Sequence, residues 1–572
     1  MRKHYRWRLL QPDSEKVFAL ARAINASLPI AKALCNRGIF TFDDAKRFFR
    51  PEEAPLHSPF LMRDMQHAAE RLSQAIERGE RIMIYGDYDV DGTTGTALLL
   101  LFLRELGAEV LFYINDRFKE GYGVARSGIE YAHEKGVSLI ISVDCGITAF
   151  EPIKYAQSLG IDFIVCDHHE SSLERPPALA VLDPKRPDCD YPFKELSGCG
   201  VAFKLAEAVC TVRGLPAERA YAYLDLVAAA IAADIVPALG ENRTLLARGI
   251  AQTKKNPRLA FSEIFNCARY DSSHLSTSDL VFIVAPRINA AGRMDHARQV
   301  VELLTTANGD LAAHLALTLE KLNTERRHID RQMTEEALRD AERLLSIYPS
   351  SVVLYKPDWH LGVVGIVASR IAEHFYVPTI VLTEANGVLK GSARSIADFD
   401  LYDAISACKE HLLQFGGHAA AAGLSLPITS LEAFRAAFER ACAERLKMEQ
   451  RNPEIVIDAE LRLEEITPNF LAVLKRFEPC GPGNRHPVFL TRGVRQTCSV
   501  QVMKNEHLRL HLSNSHSHGS IYPAVGFHFA HYLDMLQDRS RPLDIVYSIE
   551  ENCYNGQTSV QFRLRDVQLS SA

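Results

Sequence analysis

Carboxylate and imidazole side chains follow four separate apolar segments of this sequence, in a pattern that could bind divalent metal ions. The set comprises Asp87, Asp89, Asp91, Asp144, Asp167, His168, His169 and Asp234. Carboxylates packed beside buried segments repel one another unless a cation neutralises them. Oxygen ligands joined by an imidazole suit Mn²⁺ or Mg²⁺, and the imidazole favours Mn²⁺.

A carboxylate shared by two ions would hold them roughly 3.5–4 Å apart, and Asp144 is the candidate for that position. Such a pair lowers the pKa of a bridging water and stabilises both oxygens of an in-line displacement at phosphorus. The residues therefore favour metal-dependent phosphoester hydrolysis. A structural metal and a non-hydrolytic sugar-phosphate site remain alternatives at this point.

The sequence does not support a calcium-binding EF-hand loop or several other common ligand-binding and catalytic motifs. The run DYDVDG at 87–92 resembles the start of an EF-hand loop, but the twelfth position is Leu98, where a bidentate Glu is required. The sequence contains no GxxxxGK[ST], so no P-loop is expected, and it contains neither GxSxG nor HExxH.

Apolar runs alternating with helical stretches predict the element that positions these acids. The runs at 81–86, 109–114, 138–144 and 161–167 are short and almost continuously apolar, which is typical of a parallel sheet covered on both faces. The carboxyl ends of parallel strands meet at one edge of the sheet, where ligands bind. The acids that follow these runs are therefore expected to lie together.

The rest of the chain predicts two further units. Residues 310–345 contain no Gly or Pro and mix both charge signs, which predicts a long connecting helix. A second α/β pattern follows, and the alternating strands after Asn452 predict a small β-barrel or sandwich. The fold prediction is thus an α/β protein with two α/β domains joined by a long helix, plus a C-terminal β-barrel. Its expected parts are an N-terminal helical segment (1–80), the acid-bearing domain (81–308), the helix (309–347), the second α/β domain (348–447) and the barrel (453–572).

Composition indicates a soluble, multidomain protein. The 572 residues are 47% hydrophobic and 24% charged, and the 12 cysteines form no CxxC pair, which argues against a disulfide framework or a zinc ribbon. The basic N-terminus lacks the apolar region of a secretory signal, so a cytoplasmic location without a membrane partner is expected. A net charge of −6 counts mildly against a polyanionic partner, but a local basic groove or bound metal can reverse the sign.

The ordered runs GDYDVDG (86–92), SVDCG (142–146), DHH (167–169) and ADIVP (233–237) resemble the four motifs of the DHH phosphoesterase superfamily. Within it the chain is most similar to the bacterial RecJ family of single-strand-specific DNA exonucleases, and the resemblance covers about residues 80–425. Further runs that carry it are NDRFKEGYG (115–123), SGCGVAFKL (197–205), APRINAAGRM (285–294), HLGVVGIVASR (360–370), KGSARS (390–395) and FGGHAAAAG (415–423). Small-substrate DHH enzymes begin the first motif with His-x-x-x-Asp-x-Asp. Here Tyr85 replaces that His and Asp87 is added, which favours RecJ.

The resemblance implies a role for each matching residue. Two Mn²⁺ or Mg²⁺ ions are expected on Asp87, Asp89, Asp91, Asp144, His168 and Asp234, with Asp89, Asp144 and His169 as catalytic residues. His169 is expected to stabilise charge that develops on the scissile phosphate. Arg117 and Arg287 are expected to recognise the 5′ end, and Ser392, Arg394 and His418 to contact substrate phosphates from the DHH-associated domain.

The resemblance also implies a function: 5′→3′ exonuclease action on single-stranded DNA with release of 5′-mononucleotides. It also implies a role in DNA repair and recombination, with a helicase and a single-strand-binding protein as partners. A phosphodiesterase for very short oligonucleotides or cyclic dinucleotides and a non-enzymatic scaffold are the alternative functions.

The terminal domain resembles the RecJ OB-fold, which helps to hold single strands. Aromatic candidates for base stacking there are Phe489, Tyr522, Phe527, Phe529, Tyr532 and Phe562. Half or more of such a set is expected to belong to the barrel core. Its 12 basic and 12 acidic residues between 455 and 572 balance, so this domain is not expected to dominate affinity alone.

Overall fold

The computed structural model describes residues 5–171, 173–514, 521–554 and 557–570, and the chain divides into two compact units. The Asp-cluster unit comprises Arg47–Arg327 and Phe477–Arg485. The barrel unit comprises the residues up to Lys46, His328–Arg476 and the residues from His486 onward.

The N-terminal segment contains a strand as well as helices. Its elements are β1 (Arg6–Leu9), α1 (Ser14–Ile24), α2 (Leu28–Cys35), α3 (Phe42–Phe49) and α4 (Met65–Glu77). Strand β1 pairs in parallel with residues 454–457, and Trp7 donates a hydrogen bond to the Asp566 carboxylate at 2.7 Å. The segment predicted as one helical unit over 1–80 is therefore divided, because β1 joins the barrel unit while α4 lies in the Asp-cluster unit.

A five-stranded parallel sheet forms the centre of the Asp-cluster unit. Its strands are β2 (Ile82–Gly86), β3 (Val110–Ile114), β4 (Leu139–Val143), β5 (Asp162–Cys166) and β6 (Ala180–Leu182). The order is β3-β2-β4-β5-β6, and every pairing is parallel. Every residue of β2 and β4 is buried, as expected for a sheet covered on both faces. The predicted parallel sheet is confirmed.

Helices cover this sheet and extend the core beyond it. They are α5 (Val90–Glu105), α6 (Arg126–Glu134), α7 (Phe150–Ser158), α8 (Gly198–Val212), α9 (Glu218–Tyr221), α10 (Leu224–Ala233), α11 (Gly240–Lys255), α12 (Leu259–Ala268), α13 (Thr277–Asp279), α14 (Ala285–Met294) and α15 (Arg298–Thr305). Helix α8 begins at Gly198, where a Cβ would lie 2.9 Å from the Asp144 Cα. Glycine at this position therefore lets the start of α8 approach the carboxyl end of β4.

The predicted long helix is present as α16 (Gly309–Leu345), and a second sheet follows it in the barrel unit. The elements are β7 (Val352–Tyr355), α17 (Val364–Phe375), β8 (Thr379–Ala385), β9 (Val388–Arg394), α18 (Leu401–Ser406), β10 (Gln414–His418), β11 (Ala421–Leu426) and α19 (Leu431–Arg445). The sheet order is β10-β11-β9-β8-β7, and only β7 and β8 pair in parallel.

The C-terminal strands close into the predicted barrel. The elements are β12 (Glu454–Ile457), β13 (Ala459–Glu460), α20 (Pro468–Lys475), β14 (Phe489–Gln496), β15 (Gln501–Met503), β16 (His507–Asn514), β17 (Tyr522–Gly526), α21 (Leu533–Gln537), β18 (Leu543–Tyr554) and β19 (Gln557–Leu569). Strands β14, β18, β19, β17 and β16 pair in that order, and β16 pairs back onto β14.

Most of the aromatic candidates belong to the core of this barrel. Phe489, Phe529, Tyr532 and Phe562 are buried. Tyr522 is half-buried and stacks on Phe562 with ring centroids 4.8 Å apart. Of the six candidates only Phe527 is exposed.

No single helix among the described ranges is both long and apolar enough to cross a membrane. Helices α1 and α2 pass that test of length and composition only as a pair, and the chain bends by 117° between them.

Candidate active site

The first motif places three aspartates between β2 and α5. Asp87 follows the last residue of β2, and the Asp89 carboxylate caps α5 by accepting the Gly92 N–H at 3.1 Å. Asp91 lies in the first turn of α5, and its two carboxylate oxygens accept the N–H groups of Gly198 and Cys199 at 2.6 and 2.8 Å. The start of α8 therefore holds the Asp91 carboxylate in one orientation.

The other members of the cluster come from three further chain segments. Asp144 follows β4 directly and has a left-handed backbone with φ of 61°, a conformation that aspartate tolerates better than most residues. His168 and His169 follow β5 after one residue. Asp234 is the C-cap of α10, so the fourth motif reaches the cluster from the end of a helix.

The structure brings all six predicted metal ligands together. The His168 Nε2 atom lies 3.2 Å from Asp144 Oδ1, 3.4 Å from Asp234 Oδ2 and 3.6 Å from Asp91 Oδ2. Three overlapping sets have ligand atoms that all lie within 4.8 Å of one another: Asp87, Asp89 and Asp144; Asp91, His168 and Asp234; and Asp144, His168 and His169. Asp144 belongs to two of these sets, which is the arrangement expected of a shared carboxylate.

Orphaned buried atoms show that these residues fit a bound cation. Within the described part of the chain no hydrogen-bond partner reaches Oδ1 of Asp87, Oδ1 of Asp144 or Nε2 of His168, and all three atoms are buried. A buried polar atom without a partner costs stability. Divalent cations bound by the cluster would satisfy these atoms, since carboxylate oxygen and neutral imidazole nitrogen are their usual ligands.

The pKa values support the same conclusion. Burial, and then the charge of Asp89, raises the pKa of Asp87 and raises that of Asp91 to about 7. Burial and the neighbouring Asp91 also raise the pKa values of Asp144 and Asp234. Such shifts are expected where carboxylates share a buried site without a cation.

Burial has the opposite effect on the imidazole of the cluster. It lowers the pKa of His168 to about 3, because the charged form is disfavoured away from water. His168 is therefore neutral at physiological pH, which is the form that binds metal.

His169 is held as a cation at the edge of the cluster. Its Nδ1 lies 2.7 Å from Asp167 Oδ1, and the Asp167 carboxylate also accepts the N–H groups of His168 and Ile147. Burial alone would lower the pKa of His169, but the hydrogen bond with Asp167 raises it to about 9. A positive imidazolium that is one-third exposed suits a developing phosphate charge.

Tyr122 also belongs to this site, although the sequence alone does not predict it. Its hydroxyl donates a hydrogen bond to the Asp144 carbonyl at 3.0 Å and lies 3.2 Å from Nδ1 and 3.4 Å from Nε2 of His169. Its ring makes an edge contact with His169 at 5.6 Å between centroids. The only signal in the sequence is its place between two glycines in the run NDRFKEGYG.

The two arginines predicted to recognise the 5′ end have different surroundings. The Arg117 guanidinium lies 4.4 Å from the centroid of the Tyr88 ring, and its charge acts on the Asp87 carboxylate. Arg287 is buried, its Nε pairs with Glu320 Oε2 at 2.5 Å, and its Nη1 donates to the Ile283 carbonyl. The structure therefore brings Arg117 near the cluster, whereas the contacts described for Arg287 lead to α16 and to the turn that precedes its own helix.

In the barrel unit, Ser392, Arg394 and His418 lie together. Arg394 Nη1 donates to Ser392 Oγ at 2.7 Å, and Arg394 and His418 both lie opposite Ala421 on the intervening strand. A Cβ at Gly365 in the first turn of α17 would lie 3.1 Å from Arg394 Nη2. The missing side chain leaves the N-terminus of α17 open beside these polar groups, a favourable setting for an anion.

Comparisons with known proteins agree with this arrangement. The family models that match are the N-terminal domain of the DHH family at residues 81–231, the DHHA1 domain at 349–444 and the RecJ OB domain at 457–566.

The chain is also similar to whole proteins. It is 37% identical over 568 residues to the single-stranded-DNA-specific exonuclease RecJ of Bacillus subtilis (strain 168), covering 99% of this chain and 71% of the relative. It is 34% identical over 522 residues to RecJ of Escherichia coli (strain K12), covering 88% and 90%.

Among solved structures, RecJ in complex with Mn²⁺ from Thermus thermophilus matches with a TM-score of 0.85 and 29% identity, covering 100% of this chain and 81% of that one. Three family models match the chain, and relatives at 34–37% identity cover 88–99% of it. The chain belongs to the RecJ family.

Proposed function

We propose that this protein is a metal-dependent exonuclease that hydrolyses single-stranded DNA from the 5′ end and releases 5′-mononucleotides. The observation that carries the proposal is the cluster of five aspartates and one neutral histidine. Buried atoms of Asp87, Asp144 and His168 in this cluster have no hydrogen-bond partner among the described residues. Its relatives are named single-stranded-DNA-specific exonucleases, and relatives from Thermus thermophilus were solved with Mn²⁺ and with Mg²⁺.

The cluster would hold two divalent cations. Asp87, Asp89 and Asp144 form one ligand set, and Asp91, His168 and Asp234 form the other, with Asp144 close enough to His168 to serve both. When bound, two such ions supply an activated water and neutralise charge on the oxygens around phosphorus. The protein contributes the fixed orientation of each carboxylate, for which the hydrogen bonds to Asp89 and Asp91 are examples.

His169 and Tyr122 would act on the scissile phosphate from the open side of the cluster. The Asp167 carboxylate keeps the His169 ring protonated and fixes its orientation. The Tyr122 hydroxyl, bound to the Asp144 carbonyl, restrains the same ring. A positive group held in place before the reaction stabilises charge that develops in the transition state.

Substrate recognition would involve Arg117 and the anion-binding group of Ser392, Arg394 and His418. An Arg fork and a helix N-terminus both favour phosphate oxygens. A role of Arg287 at the 5′ end would require its pair with Glu320 to open. A helicase and a single-strand-binding protein as partners, and a cytoplasmic location, belong to this proposal and rest on family membership.

The experiment uses a long single strand with an internal label, prepared in 5′-blocked and 3′-blocked forms. Each form is incubated with the protein in Mn²⁺, Mg²⁺ or EDTA, beside the matching duplex and a dinucleotide. We expect mononucleotide release that needs metal and stops only with the 5′ block. Release from the 3′-blocked and 5′-blocked strands alike, equal degradation of the duplex, or action on the dinucleotide alone would contradict the proposal.

Substituting a cluster residue tests whether release depends on the cluster. The variant is Asp89→Ala, and the matched control is Asp310→Ala, an exposed aspartate of the same unit. We expect the first variant to lose turnover and the control to keep it.

A further inference from the structure

Ile235, which follows the cluster residue Asp234 in the chain, has a strained backbone and an exposed side chain. Helix α10 ends at Ala233, Asp234 is its C-cap, and Ile235 follows with a left-handed φ of 61°. Glycine is the usual residue at this position after a helix. A β-branched residue is an outlier there, since its Cβ collides with the backbone in this conformation.

The strain persists because the chain is fixed on both sides of Ile235. The Asp234 N–H donates to the Ala230 carbonyl at 2.9 Å, and the Ala238 N–H donates to the Pro482 carbonyl at 2.8 Å. Strained residues of this kind are kept where the surroundings over-determine the backbone, and they concentrate at functional sites.

The side chain itself adds no packing that would explain the strain. Ile235 is 72% exposed, whereas the next residue, Val236, is 8% exposed. A turn that only redirected the chain would be formed at lower cost by glycine. The exposed isoleucine side chain is therefore the feature that glycine could not supply.

The position of Ile235 indicates what it contacts. Asp234 Oδ2 lies 3.4 Å from His168 Nε2, so the next residue stands at the rim of the cluster. We propose that the Ile235 side chain packs against the base of the nucleotide whose phosphate is hydrolysed. This inference rests on the proposed function, and it adds a residue that binds the base.

The chemistry of isoleucine suits this task. An aliphatic side chain forms no hydrogen bonds, so it contacts the face of all four bases equally. An exonuclease that removes successive nucleotides needs a contact of this kind, which places the terminal nucleotide without reading the sequence. A contact that buries about half of such a side chain is expected to contribute roughly tenfold in kcat/KM.

The experiment tests whether the Ile235 side chain contacts the 5′-terminal base, by removing each of them separately and together. Two single strands are compared, one with an ordinary 5′-terminal nucleotide and one with an abasic 5′-terminal residue, using the full chain in Mn²⁺. The variant is Ile235→Gly, which removes the side chain and relieves the strain. The control is Arg269→Gly, which also replaces a left-handed residue (φ 53°) after a helix of the same unit.

We expect the unsubstituted protein to cleave the abasic end roughly tenfold less efficiently, with the change in KM rather than in kcat. Ile235→Gly is expected to cleave the ordinary and the abasic end with the same kcat/KM, equal to the lower value that the unsubstituted protein has for the abasic end. Its Mn²⁺ affinity should be unchanged and its melting temperature equal or higher. Arg269→Gly is expected to discriminate as the unsubstituted protein does.

Two results would overturn the inference: the same abasic penalty in Ile235→Gly and the unsubstituted protein, or no penalty in either. Weaker Mn²⁺ binding by Ile235→Gly would also overturn it, since the residue would then serve only to place Asp234. If the unsubstituted protein releases nucleotides from neither strand, the proposed function fails instead, so the two failures are distinguishable.

Discussion

Removing the metal is predicted to destabilise the Asp-cluster unit more as the pH rises. Without a cation, the folded protein keeps protons on its buried carboxylates, because their pKa values are raised. The unfolded chain releases these protons near pH 4. The free energy of unfolding of the metal-free protein is therefore highest below that pH. It decreases as the pH rises and levels off once the pH exceeds the pKa values of the folded state.

Asp91 alone gives the size of the effect. Burial and the charge of Asp89 raise its pKa from 3.8 to about 7. One pKa unit corresponds to about 1.4 kcal/mol. This shift therefore lowers the free energy of unfolding of the metal-free protein by roughly 4 kcal/mol at pH 8 and by roughly 2 kcal/mol at pH 5. The difference corresponds to a fall in melting temperature of about 5–10 °C for a domain of this size.

The assay is thermal unfolding in EDTA and in Mn²⁺ between pH 5 and pH 8, followed by calorimetry so that transitions of the two units separate. We expect the gap between the EDTA and Mn²⁺ curves to widen with pH. In Asp91→Asn, the neutral amide has no charge to desolvate, so the EDTA curve should depend less on pH. A gap that is constant or larger at pH 5, or an Asp91→Asn curve identical to that of the unsubstituted protein, would refute the reasoning.

Three further predictions concern single residues. Asp89→Ala should abolish turnover, measured by nucleotide release, while a gel-shift assay shows single-strand binding largely retained; unchanged turnover would remove the metal assignment. Tyr122→Phe, which deletes only the hydroxyl that restrains His169, should lower kcat by roughly tenfold and leave KM unchanged, so a change in KM alone would point to substrate binding instead. Arg243→Ala should lower the free energy of unfolding, measured by calorimetry, by about 3 kcal/mol or more. The buried guanidinium donates to the backbone carbonyls of Phe48 and of residues 477–479, and without these hydrogen bonds the buried carbonyls lack a donor. An unaltered melting temperature would contradict this.

The clustering of the predicted metal ligands could be foreseen from the sequence because their positions follow from sheet geometry. Asp87 and Asp144 each come directly after a buried parallel strand, and the carboxyl ends of neighbouring parallel strands meet at one edge. Asp234 was predicted from its motif, but its place at the C-cap of α10 was not, because a short apolar run fits a strand and a helix equally well.

Features that depend on distant contacts could not be predicted. Strand β1 is four residues long, and its partner lies more than 440 residues further along the chain, so no local pattern reveals it. The pairing of Arg287 with Glu320 joins α14 to α16 and is likewise invisible to spacing. The strain at Ile235 is a property of the folded backbone, and the run ADIVP gives no sign of it.

The barrel shows the limit of composition as a guide to binding residues. Aromatic residues were expected to include stacking platforms for bases. Phe489 and Phe562 are fully buried, since alternate residues of a barrel strand face its interior. This agrees with the expectation that half or more of the aromatic candidates belong to the barrel core. Phe527 is the candidate that the structure leaves exposed.

The most direct test of the central claim counts the Mn²⁺ ions bound by the cluster and asks whether they share a ligand. Equilibrium binding with electron paramagnetic resonance would be measured on the unsubstituted protein and on Asp144→Ala. We expect two ions per chain with spins coupled to each other. In Asp144→Ala we expect both the coupled signal and nucleotide release to be lost. One ion per chain, two uncoupled ions, or a coupled pair that survives in Asp144→Ala would contradict the central claim.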